Sequence, residues 1–178
     1  AKSPLLYLGV VLGGFYGLCY AIEKNRYTTT GVVLMFTFTF FMGVLLAPLL
    51  AVALQSSNGG TMIMVAAGGT GALFLALSAL GSDTSKDFSF LGKFVGVSVI
   101  IFMATMILNY IFLKMPTLNI LLSAIIIPLS GAIIVYRINM AARGGETSPV
   151  SLALDIYIGL YNIFSALLRL LIIFSGRE

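Results

Sequence analysis

A chain of 178 residues that is 60% hydrophobic and 9% charged, with a mean hydropathy of +1.09, carries more apolar surface than a water-soluble core can hide. It is therefore read as an integral membrane protein. Ten Lys and Arg against six Asp and Glu give a formal +4, but the basic residues are spread thinly through linkers, so they anchor and orient the chain in the lipid bilayer rather than bind nucleic acid. The absence of His and the single Cys19 exclude a disulfide framework and any zinc site built on His and Cys pairs. Nothing in the composition calls for a cofactor or a metal.

A span needs about 20 apolar residues to cross roughly 30 Å of hydrocarbon, and six segments reach that length. The first, Leu5 to Ile22, lacks a clear small-x-small cleavage site, so it is read as a retained span rather than a signal peptide. Gly9, Gly13 and Gly17 recur in it at i, i+4 and i+8, a smooth face on which another helix backbone packs closely. A dedicated dimer interface is the rival reading of those glycines. Gly31 to Leu54 and Thr61 to Leu80 follow, the former containing Pro48 and the latter a second flat patch, "AAGGTGA", which includes Thr70. No charged residue lies between Tyr27 and Ser82, and the turn-forming "QSSNGG", residues 55 to 60, divides that stretch. Phe94 to Leu113 and Thr117 to Tyr136 are joined by the tight link "KMPT". Pro128 is expected to kink the fifth span and free a carbonyl that Ser130 or a neighbour satisfies. Val150 to Phe174 is the last. Links this short make neighbouring helices antiparallel and leave no room for an extramembrane domain, so residues 1–178 are read as a single transmembrane helical domain, an all-α polytopic bundle.

The linkers "EKNRYTTT", "GSDTSKDFSFLGK" and "RINMAARGGETS" hold Lys24, Arg26, Lys86, Lys93, Arg137 and Arg143, against Lys2, Lys114 and Arg177 on the other side. Six against three places the longer linkers in the cytoplasm and the C-terminus outside by the positive-inside rule.

In the last span Ser151, Asp155, Gly159, Asn162, Ala166 and Arg169 are spaced by three or four residues, which puts them on one helical face. The remaining faces carry bulky apolar residues, among them Ile163 and Leu168, suited to lipid or to apolar neighbours. Charge facing lipid is costly, so the stripe is expected to turn inward, with this helix against and inside the ring of the others. Ser148 is the expected N-cap and Pro149 the first helical residue. Asp155 then lies only about 8 to 10 Å in from the helix start, and Arg169 roughly 21 Å further, within snorkelling reach of the opposite face. Two readings of Arg137 stand: an ion pair with Asp155 that braces this end of the bundle, or a positive-inside anchor against headgroups. No His is present to activate a serine, no Gly-rich loop precedes a Lys, and one membrane Asp is no aspartyl dyad, so the chain is not read as an enzyme.

"GVLLAPLLAVALQSSNGGTMIMVAAGGTGALF", residues 43 to 74, resembles the signature region of the Bax inhibitor (transmembrane BAX inhibitor motif) family: Gly43, Pro48, Leu50, Thr70, Leu73 and Phe74 fit its pattern, while Ala47 stands where Gly is usual and Gly71 where Ala is usual. "SFLGKF", "GGETS" and "LYNIFSALLRLL" are similar to its bacterial YccA branch in order and spacing. The resemblance implies a seven-helix fold with six helices wrapped around the last, of which this chain shows six spans, its first run matching the family's second helix. It also implies two functions from different classes. One is modulator and substrate of the ATP-dependent protease FtsH in the bacterial inner membrane, with HflK and HflC as further partners. The other is a pH-sensitive calcium leak channel in which two aspartates share a proton. Those two aspartate positions fall on Arg137 and Gly159 here, and the sequence keeps only Asp155, one turn earlier. A shared proton needs two like charges that cannot both ionise cheaply, so the departure favours the modulator. A bundle whose stripe only packs helices is the third reading.

Overall fold

A computed structural model describes residues 4–145 and 148–176. Lys2 and Arg177 of the charge count, and Glu146 and Thr147 of the "GGETS" stretch, lie outside the described residues. Among those described the secondary structure is entirely helical: α1 (Pro4–Lys24), α2 (Thr29–Leu54), α3 (Gly59–Gly81), α4 (Ser89–Leu108) running into a π-helical turn (Asn109–Leu113), α5 (Pro116–Ala142) and α6 (Pro149–Ser175). All six α-helices are long and apolar enough to cross a bilayer. The hydropathy reading ends the fifth span at Tyr136, whereas α5 continues six residues further, so the first half of "RINMAARGGETS" is helix and Arg137 lies inside it. Likewise α4 starts at Ser89, five residues before the apolar run. Hydropathy marks where hydrocarbon ends; backbone hydrogen bonding carries a helix past that boundary.

The chain divides into two compact units, Ala1–Ala47 with Ser148–Leu154, and Pro48–Thr147 with Asp155–Glu178. In the first unit Phe38 is fully buried and its ring lies 5.6 Å from that of Phe15. Gly14 meets the Phe41 ring, which a Cβ there would approach to 2.9 Å. Thus α1 packs through the face carrying Gly14 and Phe15. Gly9, Gly13 and Gly17 are exposed, with no atom near the position of an added Cβ, so the expected packing stripe is not a contact within this unit. Spacing creates a smooth face, but it does not decide whether a helix lies on it.

In the second unit Leu168 of α6, Ala53 of α2 and Met62 and Ala66 of α3 form a buried apolar cluster. Thr70 is buried in α3 and donates its hydroxyl to the Ala66 carbonyl at 2.7 Å, while Leu167 Cδ1 would lie 3.5 Å from a Cβ at Gly69. That part of the flat patch does receive another helix. Pro48 and Pro128 sit inside α2 and α5 but are exposed, so neither ring packs in the core. Ser130 does not take the carbonyl that Pro128 leaves free, and its buried Oγ has no hydrogen-bond partner. The freed carbonyl belongs to Ala124, six residues or about 9 Å earlier along the axis, out of reach of that hydroxyl.

The short links of this unit are built by asparagines. Asn139, 2% exposed, donates its amide to the carbonyls of Gly81, Asp83 and Lys86 at 3.1, 3.2 and 3.1 Å, and its Oδ1 accepts from the N–H of Phe88 at 3.3 Å. One α5 side chain therefore organises the whole connection from α3 to α4. The α4–α5 link works similarly: Asn109 accepts from the Met115 N–H at 3.0 Å and donates to Asn119 Oδ1 at 2.7 Å, while Lys114 adopts φ +48° and Pro116 opens the next helix. Leaving buried polar groups unpaired costs about 1–3 kcal/mol each. Asn139→Leu is therefore expected to lower stability by about 2 kcal/mol and to raise hydrogen exchange at Gly81 to Phe88 selectively; unchanged exchange there would remove the organising role.

Candidate functional site

The site begins where α6 does. Ser148 accepts the Ser151 N–H on its Oγ at 3.2 Å, so it caps the helix, with Pro149 at the first helical position. The same hydroxyl donates to the Arg26 carbonyl at 3.1 Å, and the fully buried Ser151 donates to Glu23 Oε1 at 2.7 Å. Glu23 also pairs with Arg26 at 3.3 Å. The first unit thus ties the start of α6 to the end of α1 through one carboxylate. Sequence reasoning passed over Glu23, since an acid at a span end reads as an ordinary interfacial charge; only its partner Ser151, on the inward stripe, was visible.

In the second unit Arg137 of α5 is ion-paired through its guanidinium with Asp155 of α6, the two side chains being 21% and 28% exposed. Asp155 is the seventh residue of α6, about 9 Å from its start. The helix dipole fades within the first turn, so the neighbouring guanidinium supplies most of the counter-charge. One turn on, Gly159 is buried against Ile134: a Cβ there would lie 2.7 Å from Ile134 Cγ1 and 3.5 Å from the Ser130 carbonyl oxygen. Ile134 is fully buried. The absence of a side chain at Gly159 is what lets α5 and α6 approach.

The rest of the stripe divides. Ala166 is buried and Asn162 half-buried, but Arg169 is exposed and does not turn inward. Of the bulky apolar residues suited to lipid or to apolar neighbours, Ile163 and Leu168 are fully buried, as is Leu154 to within 3%. At 3.6 residues per turn these positions spread burial over more than half of the circumference of α6. The polar stripe marked only the middle of that arc, because bulky apolar residues suit lipid and core equally well.

A further ion pair of this unit lies beyond the spans. Asp87 holds Arg143 at 2.7 Å and accepts from the Ser89 N–H and hydroxyl. The Ser89 hydrogen bonds and then Arg143 hold the Asp87 carboxyl well below the usual carboxylate range. Asp83 is likewise lowered by Ser85 and Lys86. Both carboxylates stay charged as fasteners of the link. Among the described residues no three His, Cys, Asp or Glu side chains gather as a metal site.

Six spanning helices and a charge pair between α5 and α6 define a polytopic helical membrane protein whose polar residues fasten helices to one another. The family model described as "Inhibitor of apoptosis-promoting Bax1" matches residues 1–176, and the chain belongs to that family. It is 43% identical over 169 residues to an uncharacterised protein of Neisseria meningitidis serogroup B, covering 95% of this chain and 74% of the relative. To the "Modulator of FtsH protease YccA" of Escherichia coli strain K12 it is 37% identical over 169 residues, covering 95% of this chain and 75% of the relative. The same identity and coverage hold for a protein of Escherichia coli O6:H1 named "Inner membrane protein YccA". The chain is a multi-pass inner-membrane protein, and the names of these relatives describe a modulator and a membrane protein rather than an enzyme.

Proposed function

We propose that the chain is a modulator, and also a substrate, of the membrane protease FtsH, acting by contact within the membrane together with HflK and HflC. Residues 1–178 work as one transmembrane domain with the C-terminus outside the cytoplasm, and the chain catalyses no reaction. The observation that carries this reading is the 37% identity, over 95% of the chain, to a relative named as modulator of that protease. The site supports it: Asp155 faces the guanidinium of Arg137, and Gly159 leaves no second carboxylate with which to share a proton. A fixed charge pair suits a brace between α5 and α6, whereas a proton-sharing gate needs two acids.

The test is co-purification from native membranes in mild detergent, followed by degradation of a membrane substrate by FtsH in proteoliposomes. The chain is expected to co-purify with FtsH and to slow that degradation. Absence of FtsH from the purified material and unaltered degradation would overturn the reading. Robust calcium flux through proteoliposomes that rises from acidic to neutral pH, and that Asp155→Asn changes, would replace it with a leak channel.

A further inference from the structure

A polar pocket of about 150 Å³ opens in the second unit where α5 leaves the hydrocarbon, lined by Ser89, Tyr136, Asn139, Met140, Arg143 and Gly145. Its walls follow from the sequence. Tyr136 lies along α4 because Gly92 has no side chain: a Cβ there would fall 2.8 Å from Tyr136 Cζ and 2.9 Å from its hydroxyl oxygen. Gly145 turns back over Met140, whose carbonyl accepts its N–H at 2.8 Å. The amide of Asn139 is spent on the α3–α4 connection, so it supplies a wall and no donor. Two lining groups keep donors to offer. The Tyr136 hydroxyl has no hydrogen-bond partner among the described residues, and Arg143 uses Nη1 alone, on Asp87.

Depth, size and charge select the occupant. Hydropathy ends the fifth span at Tyr136, and a tyrosine at that boundary sits at headgroup level. Arg143 lies about 10 Å further along the axis, so the pocket faces the headgroup layer, about 5–8 Å deep on each side of the hydrocarbon. Its volume is well under the roughly 300–1,000 Å³ of a site for a drug-sized ligand, which suits a headgroup and leaves no room for a helix. Arg143 brings a cation, and Asp87, which binds both Arg143 and Ser89, sets an anion at the rim. Those two side chains are 39% and 58% exposed, so a ligand reaches both without opening the fold, and an exposed pair gives up little by sharing its charges. A lone anion meets a site of no net charge. A zwitterion matches it at both ends, its phosphate accepting from Arg143 and Tyr136 and its ammonium, with three N–H donors, reaching Asp87.

We propose that this pocket binds the phosphoethanolamine headgroup of a membrane phospholipid, with the phosphate on Arg143 and Tyr136 and the ammonium on Asp87. A choline headgroup carries methyl groups where the N–H donors are needed, and a glycerol headgroup has no cation.

The purified full chain is delipidated and titrated in detergent with phosphatidylethanolamine, phosphatidylcholine or phosphatidylglycerol, with bound lipid read by native mass spectrometry. Wild type is expected to bind phosphatidylethanolamine about tenfold more tightly than either of the others. Tyr136→Phe, which removes a hydroxyl that holds nothing else in the fold, is expected to weaken that binding about fivefold with unchanged thermal unfolding. Asp87→Asn is expected to erase the preference over phosphatidylcholine; should it fail to fold, the three lipids compared on wild type and Tyr136→Phe make the same test. Equal or tighter binding of either other lipid by wild type, or unchanged binding by Tyr136→Phe, would overturn the proposal. So would displacement of the bound lipid by an equal concentration of soluble phosphoethanolamine, since a free small molecule would then be the ligand.

Discussion

Gly159→Asp is expected to destabilise the chain by about 3 kcal/mol or more without creating a proton-sharing gate. The first carbon added at that position falls 2.7 and 2.9 Å from Ile134 Cγ1 and Cδ1. Ile134 is fully buried, so it has no free space into which to move. Overpacking of this kind costs about 1–3 kcal/mol, and a carboxylate placed there must also be desolvated or protonated. Gly159→Ala isolates the steric part and is expected to cost about 1–3 kcal/mol, measured by thermal unfolding in detergent followed through tyrosine fluorescence. Ile134→Val alone costs about 0.5–1.5 kcal/mol, but combined with Gly159→Ala it should recover part of the loss, giving a coupling of at least about 0.5 kcal/mol. A stable Gly159→Asp protein, or additive Ala and Val effects, would show that α5 and α6 do not depend on this approach.

Arg137→Ala and Asp155→Ala are each expected to cost about 2–3 kcal/mol, somewhat under the 3–5 kcal/mol of fully buried pairs because the two side chains keep 21% and 28% exposure. Most of that cost is the charge left behind without its partner, not the attraction itself. The double variant should therefore be little worse than either single one, with a coupling of about 1–2 kcal/mol. Replacing both by apolar residues of similar size, Arg137→Met with Asp155→Leu, should come close to wild-type stability. Single-variant losses that simply add would mean that Arg137 serves headgroups and Asp155 serves solvent. If the brace also governs function, either alanine variant should be degraded faster by FtsH while the apolar pair is not.

How much of this could be read from the residues varies by level. The six helices were legible because about 20 apolar residues cannot avoid spanning a bilayer, and helix ends were legible where a local signal exists, as with Ser148 and Pro149. Arg137 facing Asp155 was one of two open readings, since charge and depth match but no local rule pairs two helices. Asn139, Asn109 and Glu23 were missed for the same reason. An asparagine three residues past the apparent end of a span looks like linker, and its four hydrogen bonds reach backbone more than fifty positions away in the chain.

By itself, then, the sequence determined that this is an all-helical membrane protein of the Bax inhibitor family, where its spans lie, and that one face of its last helix is polar and small. The family follows from motif resemblance, and the spans and the stripe from hydropathy and 3.6-residue periodicity, which act along the chain. Only the tertiary structure decided that Gly9, Gly13 and Gly17 stay open while Gly159 is closed upon, and that Ile163 and Leu168 belong to the core. In a bilayer, lipid and protein interior are nearly equivalent solvents for an apolar side chain, so burial cannot be read from hydrophobicity and has to come from which helices touch.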